Sequence, residues 1–320
     1  MVTLGIFAIL RPRFIKKNGG ADTQAAAEGL EFERVRAEEV IGLSSGVWRP
    51  EGPGEAAQAA PSAGEPDLSR AGDLAYLREK FYTVDSRTGM DPALFNAAEF
   101  EKTPLRVERS LKTPKILIFH THSQEMFADS RDKSEGVIAV GEALSRELSR
   151  NYGLPCVHNT DSFDIVDGES RILGAYERME PVIRRVLKEN PSIEMVIDLH
   201  RDGLPPNAPP QTAVVGGRTC AKVMFFNGLC ALKENGELRP LADLPNPYLK
   251  ENLALSFRAE IKAGEMYPGF AKKVYLNSYR YSLHMLPKSL FVEVGSQHNT
   301  KEQAVNSAKP LAAVIAAAVS

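Results

Sequence analysis

Cysteine is scarce in this chain. The 320 residues contain only three, Cys156, Cys220 and Cys230. Their number is odd and no two of them form a CxxC pair, so the sequence predicts neither a disulfide scaffold nor a zinc ribbon. We therefore interpret them as small residues of the hydrophobic core.

An excess of positive charge is also missing. Lys and Arg together number 39 against 41 Asp and Glu, which gives a formal net charge of −2. Because binding to nucleic acid depends on neutralising phosphates with Lys and Arg, this balance offers no support for a nucleic-acid partner. The content of 43% hydrophobic and 25% charged residues is typical of a globular protein with a substantial core.

No hydrophobic run is long enough for a transmembrane helix. The apolar stretch MVTLGIFAIL covers only residues 1–10 and is followed by RPRFIKK, whereas a spanning helix needs roughly 20 apolar residues. It also lacks the basic region in front and the small-residue cleavage site behind that mark a signal peptide. Two interpretations stay open: a weakly packed chain end, or the remnant of a membrane anchor.

The composition divides the chain into three parts. Residues 1–43 form an N-terminal arm that contains the short apolar stretch. Residues 44–75 are rich in Gly, Pro, Ala, Glu and Ser, which predicts a flexible linker with little to bury. Residues 76–320 show an ordered pattern and are expected to form the catalytic domain.

Within residues 76–320, apolar runs of strand length alternate with segments of helical periodicity. The predicted strands are 115–119, 154–158, 193–200, 221–226, a weaker one at 272–276, and 289–295. The predicted helices are 137–148, 172–187, 247–263 and a C-terminal helix, for which Asn299 and Glu302 have capping-box spacing. Continuous apolar strands between helices predict an α/β fold with a twisted, mostly parallel sheet and helices on both faces.

Polar residues follow three of these strands, in the segments IFHTHSQE, VIDLHRDG and LFVEVGS. The carboxyl ends of strands are where an open α/β sheet places its functional site. The chain has only six histidines, and three of them, His120, His122 and His200, lie at two of these strand ends. This clustering indicates a site shared by distant segments.

The residue types at these ends favour a metal site. His122 and Glu125 are three residues apart, so a helical turn after the strand would direct both side chains to one side. His200 is the natural third ligand, and two imidazoles with one carboxylate leave an open position, as catalytic zinc requires. Glu293 is placed at a strand end to transfer protons.

Each segment also has a simpler interpretation. HTHSQE alone is typical of a polar turn. DLHRDG alone is typical of a core histidine fixed by Asp198, beside a surface ion pair of Arg201 and Asp202. Glu293 alone could be a charge at the sheet edge. The agreement of three strand ends favours the metal site over these alternatives.

The choice between His120 and His122 stays open at this point. In an extended stretch the two share a face, so either could be the ligand and the other a supporting donor. The spacing of His122 to Glu125 suits a shared ion, which gives His120 the supporting role.

The three segments, in this order, resemble the stage II sporulation protein P family. The resemblance rests on FHTHSQEMF, DLHRDG and LFVEVGSQHNTKEQA, with weaker support from FYTVDSRTG (81–89), NPYLKENLALS and YPGF, and covers about residues 76–318. The short HxxE element also looks like that of zinc carboxypeptidases. N-acetylmuramoyl-L-alanine amidases broadly share the sheet of these carboxypeptidases.

The resemblance implies a zinc-dependent N-acetylmuramoyl-L-alanine amidase of endospore engulfment. Such an enzyme hydrolyses the amide between the lactyl group of N-acetylmuramic acid and L-alanine, which releases stem peptides from peptidoglycan. By position, His122, Glu125 and His200 would bind Zn²⁺ and Glu293 would be the general base. From the residues themselves, Asp198 is a candidate to support His200 or to be an alternative ligand.

The family also implies a location and partners. It implies an extracytoplasmic site at the septal or engulfing membrane, a membrane anchor, and stage II sporulation proteins D and M as partners. The N-terminal apolar stretch is shorter than the expected anchor, so membrane attachment is left open.

One further role follows from chemistry, and two other functions compete with the amidase. The guanidinium of Arg201 could steady an oxyanion or a substrate carboxylate. A zinc carboxypeptidase-like peptidase would need such a cation to bind a free C-terminal carboxylate. A non-catalytic wall-binding protein would use the same groove without zinc.

Overall fold

The computed structural model describes residues 7–9, 33–35 and 66–320. Most of the predicted N-terminal arm (1–43) and linker (44–75) therefore lies outside the described residues. Within the arm, β1 (Phe7–Ile9) pairs with β2 (Glu33–Val35) in antiparallel register. Regular structure in the second described part starts with a 3-10 turn at Leu68–Arg70.

Residues 66–320 contain seven α-helices among those described. They are α1 (Leu74–Lys80), α2 (Ala97–Lys102), α3 (Val137–Tyr152), α4 (Ala175–Glu189), α5 (Leu249–Met266), α6 (Lys301–Asn306) and α7 (Ala308–Ala318). In the described part of the chain no helix is long and apolar enough to span a membrane.

A seven-stranded sheet forms the centre of the fold. Its strands are β3 (Tyr82–Val84), β4 (Ile116–Phe119), β5 (Cys156–His158), β8 (Met195–Asp202), β11 (Val223–Gly228), β14 (Ala271–Asn277) and β15 (Lys288–Ser296). The order across the sheet is β3-β14-β11-β15-β8-β4-β5. Three two-stranded hairpins complete the set: β6 (Ile165–Val166) with β7 (Glu169–Ser170), β9 (Thr212–Val215) with β10 (Arg218–Ala221), and β12 (Ala231–Glu234) with β13 (Glu237–Pro240).

The predicted α/β class is confirmed. All neighbouring pairs in the central sheet are parallel except β11 and β15, which are antiparallel. The sheet thus consists of two parallel groups that run in opposite directions. The carboxyl ends of β4, β8 and β15 consequently share one edge with the amino ends of β11 and β14.

Helices cover both faces of the sheet, and strand alternation decides which side chains they meet. In β8, Met195, Ile197 and Leu199 join a core cluster that includes residues of α3, α5 and α7. Val196 points the other way, into a cluster with residues of α4. Asp198 and His200 have the same phase as Val196 and therefore lie on the α4 side.

The N-cap of the C-terminal helical region differs by one residue from its prediction. Thr300 is the N-cap of α6, and its side chain and that of Gln303 form the capping box. The predicted pair of Asn299 and Glu302 is therefore wrong. Asn299 instead accepts a hydrogen bond from the backbone N–H of Ser296, with Oδ1 at 2.9 Å, which closes the turn after β15.

A buried carboxyl group away from the sheet edge predicts a dependence of stability on pH. Glu260 of α5 is 0% exposed, neither carboxyl oxygen has a hydrogen-bond partner among the described residues, and burial raises its pKa to about 8. The unfolded chain releases this proton near pH 4.5. Between these values the folded state holds one proton more, so stability falls by about 1.4 kcal/mol per pH unit.

We expect Glu260→Gln to remove this dependence. The variant and the unmodified protein should have similar free energies of unfolding at pH 5, with the variant increasingly more stable towards pH 8. Urea titrations at several pH values measure this difference. Glu265→Gln, at an exposed position of the same helix, is the control. A constant difference between Glu260→Gln and the unmodified protein across this range would contradict the prediction.

Candidate active site

The sheet brings the three polar strand ends together. The order β15-β8-β4 places these strands side by side. Glu293 of β15 is the register partner of His200 in β8, and Asp198 is the register partner of Phe119 in β4. Because register partners in adjacent strands project to the same face, Glu293 and His200 lie next to each other on the α4 side.

Asp198 connects the turn after β4 to His200. Its Oδ1 accepts the backbone N–H of Thr121 at 2.9 Å, and its Oδ2 accepts the Thr121 hydroxyl at 2.7 Å. The same Oδ1 lies 2.7 Å from His200 Nε2. Burial raises the pKa of Asp198, but His200 and the Thr121 hydrogen bonds outweigh it and keep this pKa below its usual value. Asp198 therefore stays ionised and fixes the imidazole of His200, the supporting role predicted for it.

The other ring nitrogen of His200 faces Glu125. His200 Nδ1 lies 3.3 Å from Glu125 Oε2, and this oxygen also accepts the backbone N–H of Arg201 at 2.9 Å. Burial lowers the pKa of His200, but the carboxylates of Asp198 and Glu125 outweigh it and raise this pKa well above its usual value. The two carboxylates therefore favour the protonated, positively charged form of the His200 imidazole.

His122 completes the group of predicted ligands. Its ring centroid lies 5.3 Å from that of His200, with the ring planes at 73°, and its side chain is buried. The structure thus gathers His122, Glu125 and His200 in one place. Within residues 7–9, 33–35 and 66–320, however, no group of three or more His, Cys, Asp or Glu side chains has the spacing to hold a metal ion.

Glu293 lies beside this cluster, and its carboxylate can accept a proton. It is 2% exposed, and its Oε2 has no hydrogen-bond partner among the residues that the structure describes. Burial raises the pKa of Glu293 well above its usual value, and the negative charge of Glu125 raises it further. Such a carboxyl group holds a proton more readily than an exposed one, as a general base near neutral pH requires.

His120 is separated from His122. Its Nδ1 lies 2.7 Å from the carbonyl oxygen of Leu199, and its Nε2 lies 2.9 Å from His158 Nε2. Its ring packs beneath α3, where a Cβ on Gly141 would lie 2.8 Å from His120 Nε2. The shared face expected for the two histidines is wrong, because β4 ends at Phe119 and the extended conformation does not continue. Since partners occupy both ring nitrogens, this position favours His122 as the ligand.

Arg201 is hydrogen-bonded to the main chain next to Glu125. Its Nε donates to the carbonyl oxygen of Met126 at 2.7 Å, and its Nη1 donates to the carbonyl oxygen of Asp202 at 3.1 Å. These bonds hold the chain that follows Glu125. The structure thus shows Arg201 positioning Glu125, and its contact with an oxyanion or a substrate carboxylate stays a prediction.

Two residues at the site have no local sequence signal. Asp164 is buried, and its carboxylate accepts the Ser123 hydroxyl at 2.9 Å and the Gln124 N–H at 3.1 Å. It thereby fixes the turn between His122 and Glu125. Tyr176, in the first turn of α4, places its ring edge-to-face against His122, with centroids 5.6 Å apart. Both come from segments between the predicted strands.

Comparisons with known proteins identify similar sequences. A family model described as Stage II sporulation protein P (SpoIIP) matches residues 74–316. Stage II sporulation protein P of Bacillus subtilis (strain 168) is 21% identical over 244 residues, which covers 68% of this chain and 57% of that protein. The chain thus spans less than two thirds of the length of this relative. The matched range includes every residue of the predicted site.

The comparison with solved structures found matches with low TM-scores, three of which are described here. An N-acetylmuramoyl-L-alanine amidase from Clostridium difficile 630 has a TM-score of 0.39 at 13% identity, covering 65% of this chain and 95% of its own. AmiC2 of Nostoc punctiforme has a TM-score of 0.39 at 11% identity, with coverages of 66% and 97%. The CwlD amidase from Clostridioides difficile, solved with the GerS lipoprotein, has a TM-score of 0.39 at 13% identity, with coverages of 64% and 96%.

Proposed function

The chain belongs to the stage II sporulation protein P family, and on this premise we propose that it is a zinc-dependent peptidoglycan amidase. The bond cleaved is the amide between the lactyl group of N-acetylmuramic acid and L-alanine, and the products are a denuded glycan and free stem peptides. The observation that carries this proposal is the cluster at the sheet edge, where Asp198 fixes His200 against Glu125 with Glu293 alongside.

One pair of donor atoms in this cluster has the separation that two ligands of a zinc ion have. Ligand atoms about 2.0 to 2.2 Å from a tetrahedral zinc lie about 3.3 to 3.6 Å from each other, and His200 Nδ1 and Glu125 Oε2 are 3.3 Å apart. A carboxylate that accepts from the remaining ring nitrogen is the usual support of a metal-binding histidine, and Asp198 provides it. His122, Glu125 and His200 would hold the ion.

Side chains of the protein would transfer protons and position the ligands during hydrolysis. A zinc ion at this position would lower the pKa of water and polarise the amide carbonyl. Glu293 takes a proton from the attacking water and transfers it to the nitrogen of the leaving L-alanine. Arg201 and Asp164 keep Glu125 and His122 in place through the main chain.

The contacts of Arg201 give no support to a carboxypeptidase-like peptidase. A carboxypeptidase needs a cation that binds a free C-terminal carboxylate, and Arg201 was the candidate for that role. Its guanidinium instead donates to the main-chain carbonyls of Met126 and Asp202.

The proposal further includes an extracytoplasmic location at the engulfing septal membrane and, as partners, stage II sporulation proteins D and M. Both rest on family membership.

Product analysis on a defined muropeptide tests the proposed reaction. Zinc-loaded protein should release an intact peptide with an N-terminal L-alanine together with muramic acid that retains its lactyl group, as read by mass spectrometry. Treatment with a chelator should abolish the release, and added zinc should restore it. A shortened peptide would instead indicate a carboxypeptidase. Binding of sacculi without any cleavage would indicate a wall-binding protein.

A further inference from the structure

The hydroxyl group of Tyr176 is buried without a partner. The ring of Tyr176 is only half-buried, yet its oxygen is inaccessible to solvent and has no hydrogen-bond partner among the described residues. The phenol therefore points inward from the first turn of α4. An isolated buried hydroxyl costs free energy that phenylalanine would avoid with the same ring.

The ring that carries this hydroxyl lies against His122, one of the predicted metal ligands. The Tyr176 ring is perpendicular to the ring of His122, with centroids 5.6 Å apart. The carboxylates of Asp198, Glu125 and Glu293 act electrostatically on the phenol. These residues belong to the site described above, and all three carboxylates are hydrogen-bond acceptors when ionised.

Amide hydrolysis is accelerated by a hydrogen-bond donor to the carbonyl oxygen, in addition to any metal ion. Negative charge develops on the carbonyl oxygen as water attacks, and a preorganised donor stabilises it. The carboxylates of the cluster cannot donate when ionised, and the guanidinium of Arg201 is engaged by main-chain carbonyls. A phenol is both donor and acceptor, so its O–H is suited to an oxygen that gains charge.

We propose that the Tyr176 hydroxyl binds substrate and donates a hydrogen bond to the carbonyl oxygen of the amide that is cleaved. This proposal rests on the proposed amidase function and adds a catalytic residue to it. The hydroxyl then has a partner when the substrate is bound, which offsets the free-energy cost of burying it.

Tyr281 provides a matched control. Its hydroxyl is also buried without a partner among the described residues, and its ring is in edge contact with that of Tyr176, with centroids 5.6 Å apart. The charged groups near its oxygen are Arg87 and Asp85, which lie outside the cluster. Tyr281 thus shares the burial and the missing partner of Tyr176 but not its position at the site.

The experiment compares Tyr176→Phe with Tyr281→Phe on a defined muropeptide. We expect Tyr176→Phe to lower kcat by about 100-fold or more, as the loss of one oxyanion donor does. KM and zinc content should stay close to those of the unmodified protein, and the melting temperature should be equal or higher, because the partnerless hydroxyl is removed. Tyr281→Phe should keep kcat near the unmodified value. The split between kcat and KM separates catalysis from a structural role, which would lower the melting temperature instead.

Two results would overturn the proposal, and they differ in what else they contradict. Equal kcat for Tyr176→Phe and the unmodified protein would refute the role of Tyr176 and leave the amidase function in place. An unmodified, zinc-loaded protein that does not cleave the muropeptide would contradict the proposed function and this inference together.

Discussion

Glu293→Gln should lower the rate of amide hydrolysis by about 10²- to 10⁴-fold, the usual contribution of a general base. Glutamine keeps the shape of the side chain but cannot accept the proton of the attacking water. Because Glu293 Oε2 has no hydrogen-bond partner among the described residues, the substitution breaks no hydrogen bond of that oxygen in the folded protein. We therefore expect normal folding and bound zinc, with kcat as the quantity that falls.

The matched control for this substitution is Glu194→Gln. Glu194 precedes β8 at the opposite edge of the sheet and pairs with Lys115 at 2.7 Å. The Glu194→Gln variant loses a carboxylate that lies outside the cluster. Its rate of amide hydrolysis should therefore stay near that of the unmodified protein. An active Glu293→Gln enzyme would remove Glu293 from the assigned role.

His200→Ala should eliminate stoichiometric zinc binding. The substitution removes one expected ligand and leaves the buried carboxylates of Asp198 and Glu125 without the imidazole between them. Removal of an outer partner alone costs about 10- to 100-fold in metal affinity, so we expect more than 100-fold for the ligand itself. Metal analysis after dialysis against a defined free zinc concentration measures this loss.

His298→Gln is the histidine control for zinc binding. His298 Nε2 lies 2.8 Å from the carbonyl oxygen of Pro205, away from the expected ligands, so its variant should retain zinc. Equal zinc loss in both variants would indicate a general folding defect. Full zinc occupancy in His200→Ala would exclude His200 as a ligand.

The sequence predicts the central strands well because a strand buried on both faces is a continuous apolar run. β4, with the sequence ILIF, is buried at every position, and β15 is buried at all but its first residue. The same runs show where each strand ends, and polar residues there indicate the site. The candidate site residues His200, Glu125 and Glu293 follow from these strand ends.

The roles of His120 and Arg201 could not be predicted with the same success. The expectation for His120 depended on an extended backbone through His122, but the chain turns after Phe119. Arg201 follows His200 directly within β8, and alternation along a strand directs adjacent side chains to opposite faces. This alternation agrees with the bonds of the guanidinium to the main-chain carbonyls of Met126 and Asp202.

Residues that reach the site from other segments leave no pattern in the sequence. Asp164 fixes the turn at Ser123 and Gln124 from a position 40 residues away in the chain. Tyr176 meets His122 only because α4 packs across that face of the sheet. Such contacts depend on the packing of elements, which neither periodicity nor local spacing encodes.

An anomalous-scattering map of zinc-loaded crystals, recorded at the zinc absorption edge, tests the central claim most directly. The account predicts one peak at the sheet edge, with a nitrogen of His122, an oxygen of Glu125 and a nitrogen of His200 each about 2.0 to 2.2 Å from it. A map with no peak at these three side chains, or with the ion bound elsewhere, would contradict the account.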